Sequence, residues 1–457
     1  MAPDMPPQAL DNNWAQLSPE QKREQRFNWW RSSSEEIKFI SPEAEKAYKL
    51  RIERLINAYK VQEPDRVPVV LPIGALPLYL YGTDYYTAMY DYDKASEAYN
   101  QFNNEYSTEL DCFTSPNRTL PGKIYDILDY KLYAWPGHSM PKTAKEFQFM
   151  EGEYMKADEY NALIKDPSDF WMRTYLPRVF GSFEPFRSFS SLTDIIEIPT
   201  AQLMPLAMPE VQATLQKLID AGQELSGYIK TMKEFDKKGL EMGFPVQHSM
   251  FAKAPFDTLG DTMRGTQGIM KDMYRQPDKL LEAMDLIAEL AIDSVLKSDN
   301  SKRGLFVGFP LHKGADGWMS QKQFETFYWP PLKIIINAFI NEGLIAGLFA
   351  EGSFNTRLEY INEFPKGAIH WMFDQTDMTR AKQILGDKCS ISGNVPASMM
   401  VTGSPEEVKK YCRELIEVCG KGGGYVLSGG VRSVTESKLD NIRAMMAAVK
   451  EYGVYKK

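Results

Sequence analysis

Three apolar segments decide the fold of this chain: IAGLFAEG (345–352), AIHWMFDQTD (368–377) and CSISGNVP (389–396). Segments with helical periodicity separate them. Strands that are buried on both faces read as continuous apolar runs, and parallel neighbours need a crossover connection that is usually a helix. The three segments therefore predict adjacent parallel strands in an α/β protein.

Each of these strands ends in a polar residue, namely Glu351, Asp374 and Asn394. Functional residues collect at the carboxyl ends of parallel strands, so we expect the three side chains to face one pocket. Glu351 has the strongest functional case, because it follows the apolar sequence GLFA and precedes a glycine. A carboxylate in apolar surroundings is costly unless it is paired, ligated or protonated.

Five further apolar segments extend the predicted strand count to eight. Helical patterns separate most of them, and eight strand–helix units predict an α/β fold of the (β/α)8 TIM barrel type. An open doubly wound sheet is the alternative, but no GxGxxG motif follows the first strand. The predicted strands are 67–72, 111–115, 245–251, 305–311, 345–350, 368–373, 389–393 and 425–428.

The strand pattern divides the chain into a helical N-terminal extension, 1–63, and a barrel, 64–457, with an insertion at about 117–240 after the second strand. The extension contains two Ser-Pro-Glu helix starts, in which Ser caps the helix and Pro takes its first position. The Trp29–Trp30 pair either anchors this extension to the barrel or forms a homodimer contact.

The composition favours a cytoplasmic protein. The chain has 457 residues, a net charge of -8 and a hydrophobic fraction of 43%. It contains no apolar run of about 18 residues, so we expect no membrane span, and no basic-then-apolar leader. The negative charge argues against nucleic acid as a partner. The four cysteines have no CxxC spacing, which fits a reduced compartment without a disulfide framework.

The remaining strand tips complete a predicted site of carboxylates, imidazoles and an amide. Such a set suits either metal-free acid–base catalysis or one divalent ion. His248 is read either as a hydrogen-bonded core residue or as a ligand. The predicted catalytic residues are Glu351, Asp374 and His248; the predicted substrate-binding residues are His312, Asn394, Tyr79, Phe349 and Arg432; the predicted metal ligands are Glu351 and His248.

Other polar residues have simpler structural interpretations. His370 lies inside a predicted strand, where we expect a packed, neutral imidazole. Asp377 is placed to cap the next helix. The sequence GKGGG (420–424) precedes a strand rather than a helix, so it predicts a helix end and a turn instead of a phosphate-binding loop.

The last third of the chain resembles the uroporphyrinogen decarboxylase superfamily. The resemblance is carried by GNVPASMMVTGSPEEVKKYCRELIEVCGKGGGYVLSGG (393–430) and LDNIRAMMAAVKEYG (439–453). The segment FAKAPFDTLGDTMRGTQGIMKDMYRQPDKLLEAM (251–284) looks like the third strand of that family and its following helix. The resemblance covers 245–453 and, more loosely, 64–115, and it implies a TIM barrel.

Within that superfamily, the resemblance favours the corrinoid-dependent methyltransferase branch. True uroporphyrinogen decarboxylases carry an Arg-rich signature after the first strand, which holds the carboxylates of the substrate. The corresponding sequence here, LPIGALPLYLYG (71–82), contains no arginine. The methyltransferase branch implies transfer of a methyl group from a small methylated substrate to the cobalt of a corrinoid, or cobalamin, that a partner protein carries.

The methyltransferase branch commonly binds zinc through a His-x-Cys motif at the tip of the fifth strand and a later cysteine. Here Phe349 and Glu351 occupy the first two places, and Val431 falls near the third. The usual zinc ligands are absent, so a zinc ion here would depend on Glu351 and His248. This departure from the family pattern favours methyl ether chemistry of the O-demethylase type, with a methoxyaromatic substrate and with either Glu351 as the acid or a metal held by Glu351 and a nearby His or Asp as the electrophile. A decarboxylase of a small organic acid and a non-catalytic ligand-binding barrel are the alternatives.

Overall fold

The structure, a computed structural model, describes residues 13–116, 119–190, 197–246, 249–299 and 301–456. Its strands are β1 (Val69–Val70), β2 (Tyr133–Ala134), β3 (Gln148–Phe149), β4 (Ser249–Phe251), β5 (Phe306–Leu311), β6 (Ile345–Ala350), β7 (Ile369–Phe373), β8 (Ser390–Val395) and β9 (Tyr425–Gly429).

The strands of the described residues form one parallel sheet of seven strands, in the order β1-β9-β8-β7-β6-β5-β4, and a separate antiparallel pair, β2-β3. Helices connect successive strands of the parallel sheet and cover one of its faces. This half-barrel is the predicted α/β architecture of the TIM-barrel type, with helices preceding it. The fold class is therefore confirmed.

Helices make up most of the remaining described chain. Short 3-10 helices lie at Trp14–Gln16, Ser33–Glu35, Gly181–Ser188 and Met204–Ala207, and π-helical turns at Trp171–Tyr175, Thr258–Met263 and Phe324–Tyr328. The α-helices are α1 (Pro19–Ser32), α2 (Pro42–Tyr59), α3 (Leu76–Leu80), α4 (Tyr85–Tyr90), α5 (Tyr92–Glu105), α6 (Gly122–Leu128), α7 (Tyr160–Lys165), α8 (Pro167–Phe170), α9 (Leu176–Val179), α10 (Pro199–Leu203), α11 (Pro209–Glu241), α12 (Pro255–Asp257), α13 (Gly265–Arg275), α14 (Pro277–Ser298), α15 (Gln321–Gln323), α16 (Trp329–Asn341), α17 (Leu358–Ile361), α18 (Met378–Leu385), α19 (Ala397–Thr402), α20 (Pro405–Cys419) and α21 (Leu439–Tyr452).

Side chains cap several of the helices, including those for which the sequence predicted a cap. Ser18 and Ser404 each form a capping box with the residue three positions later, and Ser41 caps α2 through its side chain. Asp377 accepts the backbone N–H groups at the start of α18, which confirms its interpretation as an N-cap. These caps fix where each crossover helix leaves its strand.

The predicted strand at 111–115 is wrong. This segment lies beside β1, but side chains satisfy its backbone instead of a strand ladder. The amide of Asn103 bonds to both the N–H and the C=O of Thr114, at 3.0 and 2.8 Å. The carboxylate of Asp111 accepts the N–H of Val69 at 2.8 Å and pairs with Arg54 and Arg66. A buried ion cluster therefore occupies the edge of β1 where the second predicted strand was expected.

Alternation along the strands decides which side chains face the barrel axis. Phe309 packs against Phe339 of α16, with ring centroids 5.9 Å apart, so the odd positions of β5 face the helices. Its even positions, through His312, therefore face inward. In β6, Ala346, Leu348 and Ala350 belong to the main core, so Phe349 and Glu351 share the inward face.

The N-terminal extension packs against the amino ends of the central strands. Trp30 is only 2% exposed and shares a core with Phe27, Ile52, Phe306 and Ile345. Trp30 therefore anchors the extension to the barrel. Among the described helices, none is long and apolar enough to cross a bilayer.

A buried arginine also joins the extension to the barrel. Nη2 of Arg26 lies 2.7 Å from a carboxylate oxygen of Asp299, and both side chains are almost fully buried. The same guanidinium donates to the carbonyl oxygens of Gly304 and Glu342, at 2.5 and 3.0 Å. Removal of one member of a buried pair leaves an uncompensated charge, which costs more than the pair itself contributes.

We expect Arg26→Met to lower the free energy of unfolding by about 3–5 kcal/mol. The measurement is urea denaturation followed by far-UV circular dichroism. The double variant Arg26→Met/Asp299→Asn should lose less than the single variant, because it buries no lone charge. Lys49→Met is the control: its pair with Glu45 is exposed, and its removal should cost less than about 1 kcal/mol. A double variant that loses more than the single one would contradict the explanation.

Candidate active site

His312 and Glu351 meet at the carboxyl ends of β5 and β6. Each residue directly follows its strand, and the N–H of Glu351 still bonds to the carbonyl oxygen of Leu311 at 3.1 Å. Nε2 of His312 lies 3.7 Å from Oε1 of Glu351. The side chain of Glu351 is 46% exposed, so this pair stands at the open rim rather than within the core.

The other ring nitrogen of His312 is held by Asp261. Nδ1 of His312 lies 2.6 Å from Oδ2 of Asp261, which is on the π-helical turn after α12. Two ammonium groups share this carboxylate: Nζ of Lys253 at 2.6 Å and Nζ of Lys313 at 2.9 Å. Asp261, His312 and Glu351 therefore form a row from the interior to the rim, with the imidazole in the middle.

A second buried aspartate fixes the backbone that carries this imidazole. The carboxylate of Asp257 accepts the backbone N–H groups of His312 and Lys313, at 3.1 and 2.9 Å, and the hydroxyl of Tyr328 at 2.7 Å. Both Asp257 and Tyr328 are fully buried. The tip of β5 is thus held to the helices on either side of it, which sets the direction of the His312 ring.

The charges around His312 favour its protonated form. Burial alone lowers the pKa of this imidazole, but the hydrogen bond to Asp261 and the negative charges of Asp261 and Asp257 outweigh it and raise the pKa. For Asp261, burial acts in the other direction and raises the pKa. The hydrogen bond to His312 and the charge of Lys253 outweigh burial and hold the pKa of Asp261 well below its usual range. The proton therefore belongs to the imidazole, and Asp261 is the negative charge that keeps it there.

Glu351 binds protons more tightly than an ordinary glutamate. Partial burial raises the pKa of its carboxyl group, and the neighbouring charges of Asp257 and Asp374 add to this effect. The charge of His312 acts in the opposite direction without cancelling it. The sequence predicted that apolar surroundings alone would make this carboxylate unusual. The side chain is half exposed, and the acidic neighbours add to the effect of burial on its pKa.

Asp374 and Asn394 organise the next part of the rim. Oδ2 of Asp374 accepts the N–H of Gly352 at 3.0 Å, which fixes the turn after Glu351. The amide of Asn394 donates to the carbonyl oxygens of Asp374 and Thr376, at 3.0 and 2.9 Å. Its own oxygen accepts the hydroxyl of Tyr411 at 3.1 Å. The structure thus gives both residues contacts that position the rim.

The other predicted site residues are distributed around the barrel opening. Phe349 lies one layer below Glu351 on the inward face, and Arg432 is exposed on the loop after β9. Tyr79 lies on α3 and packs against an apolar cluster that joins the helices after β1 to the insertion, and Nζ of Lys145 lies 5.9 Å from its ring centre. His248 lies outside the described residues. Its predicted catalytic and ligand roles remain predictions.

His370 is a packed, neutral imidazole at the base of the barrel, as the sequence predicted. Its ring nitrogens lie 2.7 and 3.0 Å from the hydroxyl groups of Ser390 and Ser392. Burial, helped by the positive charge of Arg432, lowers the pKa of His370 to about 3. This histidine therefore holds neighbouring strands together and carries no charge at neutral pH.

The described donor set does not fit a zinc site of the thiolate type. Phe349 and Val431 offer no ligating atom in the places where the methyltransferase branch has His and Cys. Among the described residues, no group of three or more His, Cys, Asp and Glu side chains is arranged to hold a metal ion.

Sequence reasoning missed Asp257, Asp261 and Lys253. The two aspartates lie four residues apart in FDTLGD (256–261), directly after a strand. Acids at this spacing share one face of a helix, and a helix that follows a barrel strand begins at the active end. That spacing was the available signal. No feature of the sequence indicated Lys253, because its contact with Asp261 depends on the turn between β4 and α12.

Comparison with known proteins identifies the family. The sequence profile described as uroporphyrinogen decarboxylase (URO-D) matches residues 198–452, more than half of the chain. The chain belongs to the URO-D family. It is similar to a uroporphyrinogen decarboxylase from Magnetococcus marinus, with 24% identity over 57% of this chain and 78% of that protein. A uroporphyrinogen decarboxylase from Coxiella burnetii shows 22% identity over 54% of this chain and 66% of that protein.

A solved structure extends the likeness to almost the whole fold of this URO-D family member. A methyltransferase from Methanosarcina mazei aligns with a TM-score of 0.55, covering 88% of this chain and 98% of the other. The sequence identity is 14%, so this likeness supports the fold alone. The alignment is broader than the family match, which leaves out the extension and β1.

The Asp261–His312 contact makes a prediction for nuclear magnetic resonance. We expect His312 to titrate above its ordinary value of about 6.5, and its pKa to fall towards that value in Asp261→Asn. The measurement is a pH titration of the imidazole resonances of the four histidines. His370 should stay neutral throughout the range from pH 5 to 9 in both proteins.

Asp377→Asn is the matched control, because asparagine also caps helices and Asp377 does not contact His312. The raised pKa also implies a sign for stability. The stabilisation from the pair is complete below about pH 6.5 and is lost as the pH rises through the folded-state pKa of His312. A His312 pKa at or below its ordinary value in the unmodified protein would contradict this assignment.

Proposed function

We propose that this URO-D family protein is a corrinoid-dependent methyltransferase of the O-demethylase type. It moves a methyl group from a small methylated compound, such as a methoxyaromatic, to the Co(I) of a corrinoid on a separate protein. The observation that carries the proposal is the row Asp261–His312–Glu351, which brings a proton-holding pair to an open barrel rim. The methyltransferase fold of the neighbour from Methanosarcina mazei is consistent with it.

The proposed reaction needs a proton. Co(I) attacks the methyl carbon with its electron pair, so that a Co–C bond forms and the C–O bond of the ether breaks. The oxygen leaves with the electrons of the broken bond, and as an alkoxide or phenoxide it is a poor leaving group. A proton delivered to that oxygen removes the developing charge and lowers the barrier. No oxidant or reductant beyond the reduced corrinoid is required.

Glu351 and His312 are the groups that hold this proton. The carboxyl group of Glu351 has a raised pKa, and its side chain is half exposed and therefore accessible to a substrate in the opening. His312 stands behind it at 3.7 Å and can restore the proton to Glu351 after each turnover. Asp261 is a positioning residue, because it acts through Nδ1 of the imidazole. The three residues resemble a relay in which only the outermost group meets substrate.

The corrinoid enters this proposal as the methyl acceptor, which a partner protein presents from solvent. An exposed reacting group at the rim suits an acceptor that is too large to enter the barrel. The inward face supports a flat, apolar methyl donor beneath it, because Phe251 is 76% exposed and Phe349 lines the same side. The donor would thus lie between the barrel wall and the acceptor.

Decarboxylation of a small organic acid is the second candidate. Lys253, Lys313 and His312 bring three basic groups to one end of the barrel, and such groups bind carboxylates. However, all three already bind a carboxylate of the protein, that of Asp261. The segment after β1, which follows Val70, contains no arginine to bind a multiply charged porphyrinogen. A non-catalytic binding barrel is the third candidate, but a binding role alone does not explain why Asp261, His312 and Glu351 form a row.

We expect Glu351→Gln to reduce methyl transfer by about 100-fold or more, because glutamine cannot donate a proton. The purified protein is mixed with a reduced corrinoid protein and with panels of methyl ethers, methylamines and methyl thioethers. Formation of the methyl–cobalt product is followed by absorbance. His312→Gln should also slow transfer, and the loss should depend on pH, because His312 restores the proton.

Glu407→Gln is the matched control, since glutamine keeps the capping box at the start of α20. No methyl–cobalt product with any donor would overturn the proposal. Release of CO2 from small organic acids in a parallel assay would favour the lyase instead. An unchanged rate in Glu351→Gln would leave that residue with a structural role only.

A further inference from the structure

Arg432 stands on the same rim as the proposed catalytic pair. Gly430 packs so closely against Asp374 that a β-carbon on this glycine would lie 2.9 Å from a carboxylate oxygen. Asp374 in turn accepts the N–H of Gly352, the residue next to Glu351. Contacts between neighbouring residues therefore connect Arg432 to Glu351 around the opening.

On its other side, the loop that bears Arg432 is tied to the insertion. Ser433 pairs with Ile73 beyond the end of β1, and its hydroxyl donates to a carboxylate oxygen of Glu146 at 2.8 Å. Thr435 donates to the same oxygen at 2.5 Å. The backbone of Arg432 is thus fixed on both sides, and the residue is exposed on the loop after β9.

Apolar groups line the space between Arg432 and Glu351. Phe251 is 76% exposed although it belongs to a barrel strand. Its ring lies 3.2 Å from the position that a β-carbon on Gly308 would occupy. Gly308 pairs with Gly347 of β6, so two neighbouring inward positions carry no side chain. The missing side chains leave room beside Phe251 and Phe349 for a flat apolar body.

The charge of Arg432 extends into this interior. His370, at the base of the barrel, is electrostatically influenced by the guanidinium. The ammonium groups of Lys253 and Lys313 both pair with Asp261. A guanidinium has five N–H donors, so it keeps contacts with the protein and still binds a carboxylate through two parallel hydrogen bonds.

We propose that Arg432 is the carboxylate-binding residue of a substrate subsite opposite Glu351, so that the preferred methyl donor is a methylated acid with a flat apolar body. The apolar body lies against Phe251 and Phe349, and the methylated atom points to Glu351. This inference rests on the proposed function, because it assumes that the methyl group reacts at Glu351. It adds the charge of the donor and the residue that selects it.

The test compares two ligands that differ mainly in charge: 4-methoxybenzoate and 4-methoxybenzamide. Isothermal titration calorimetry with the full chain, without any corrinoid protein, should show at least about tenfold tighter binding of the acid, since one charge-assisted contact contributes about 1.5–3 kcal/mol. Arg432→Gln should weaken binding of the acid at least about tenfold and leave binding of the amide within about twofold.

Arg413→Gln is the matched control: this arginine lies on α20, is exposed and pairs with Glu417. It should change neither ligand's affinity. Arg432→Lys should restore part of the acid's affinity, because lysine keeps the charge but not the two parallel hydrogen bonds. Equal binding of acid and amide by the unmodified protein, or equal weakening of both ligands in Arg432→Gln, would overturn the inference.

The binding experiment separates this inference from the proposed reaction. If the acid binds through Arg432 but no methyl–cobalt product forms from any donor, the subsite stands and the proposed function fails. If methyl ethers react but the acid has no advantage in KM over its amide, the function stands and the subsite fails. In the expected case, Arg432→Gln raises KM for the acid and changes kcat little.

Discussion

The chemistry proposed for this barrel depends on one buried carboxylate. Asp261 is shared by His312, Lys253 and Lys313, and it lies within 2.9 Å of all three. A lone buried carboxylate is costly, but three cationic partners compensate it. The compensation works in both directions, because Asp261 also keeps the proton on His312. Without Asp261, the lysines would repel a charged imidazole, and Glu351 would lose the group that can resupply it.

The two aspartates of FDTLGD (256–261), Asp257 and Asp261, have different roles. Asp257 binds backbone N–H groups and a hydroxyl, so it fixes the position of the β5 tip, whereas Asp261 binds side chains and sets their charge. Both lie on the short helical segment after β4, which places them at one edge of the half-barrel. The open interior begins at the same edge, where Phe251 stands beside Gly308. Positioning and substrate space thus depend on the same turn.

Local sequence predicted the architecture well and the site only in part. Apolar runs located the barrel strands from β4 onwards, and Ser-Pro pairs located the starts of helices. Both signals are local, because burial and capping act within a few residues. The segment at 111–115 has strand-like composition, but Asn103 and Asp111 satisfy the backbone there through contacts that composition does not record. Glu351 and His312 were found at strand ends. Asp261 was missed, because it is brought to His312 only by the packing of one unit on the next.

The difference at Phe349 and Glu351 is the reason to connect this family member with ether rather than thiol chemistry. A thiol acceptor needs a soft metal site that lowers its pKa, and the described donors do not build one. An ether needs the opposite, a proton for the departing oxygen. Glu351 can supply that proton only if it keeps one near neutral pH and still reaches substrate. Partial burial and its acidic neighbours raise the pKa of its carboxyl group, which favours the first condition, and its half-exposed position at the rim meets the second. The two conditions are in conflict for most carboxylates, since exposure restores an ordinary pKa. At the rim of this barrel the pKa of Glu351 is raised although its side chain is half exposed, because nearby negative charge acts as well as burial.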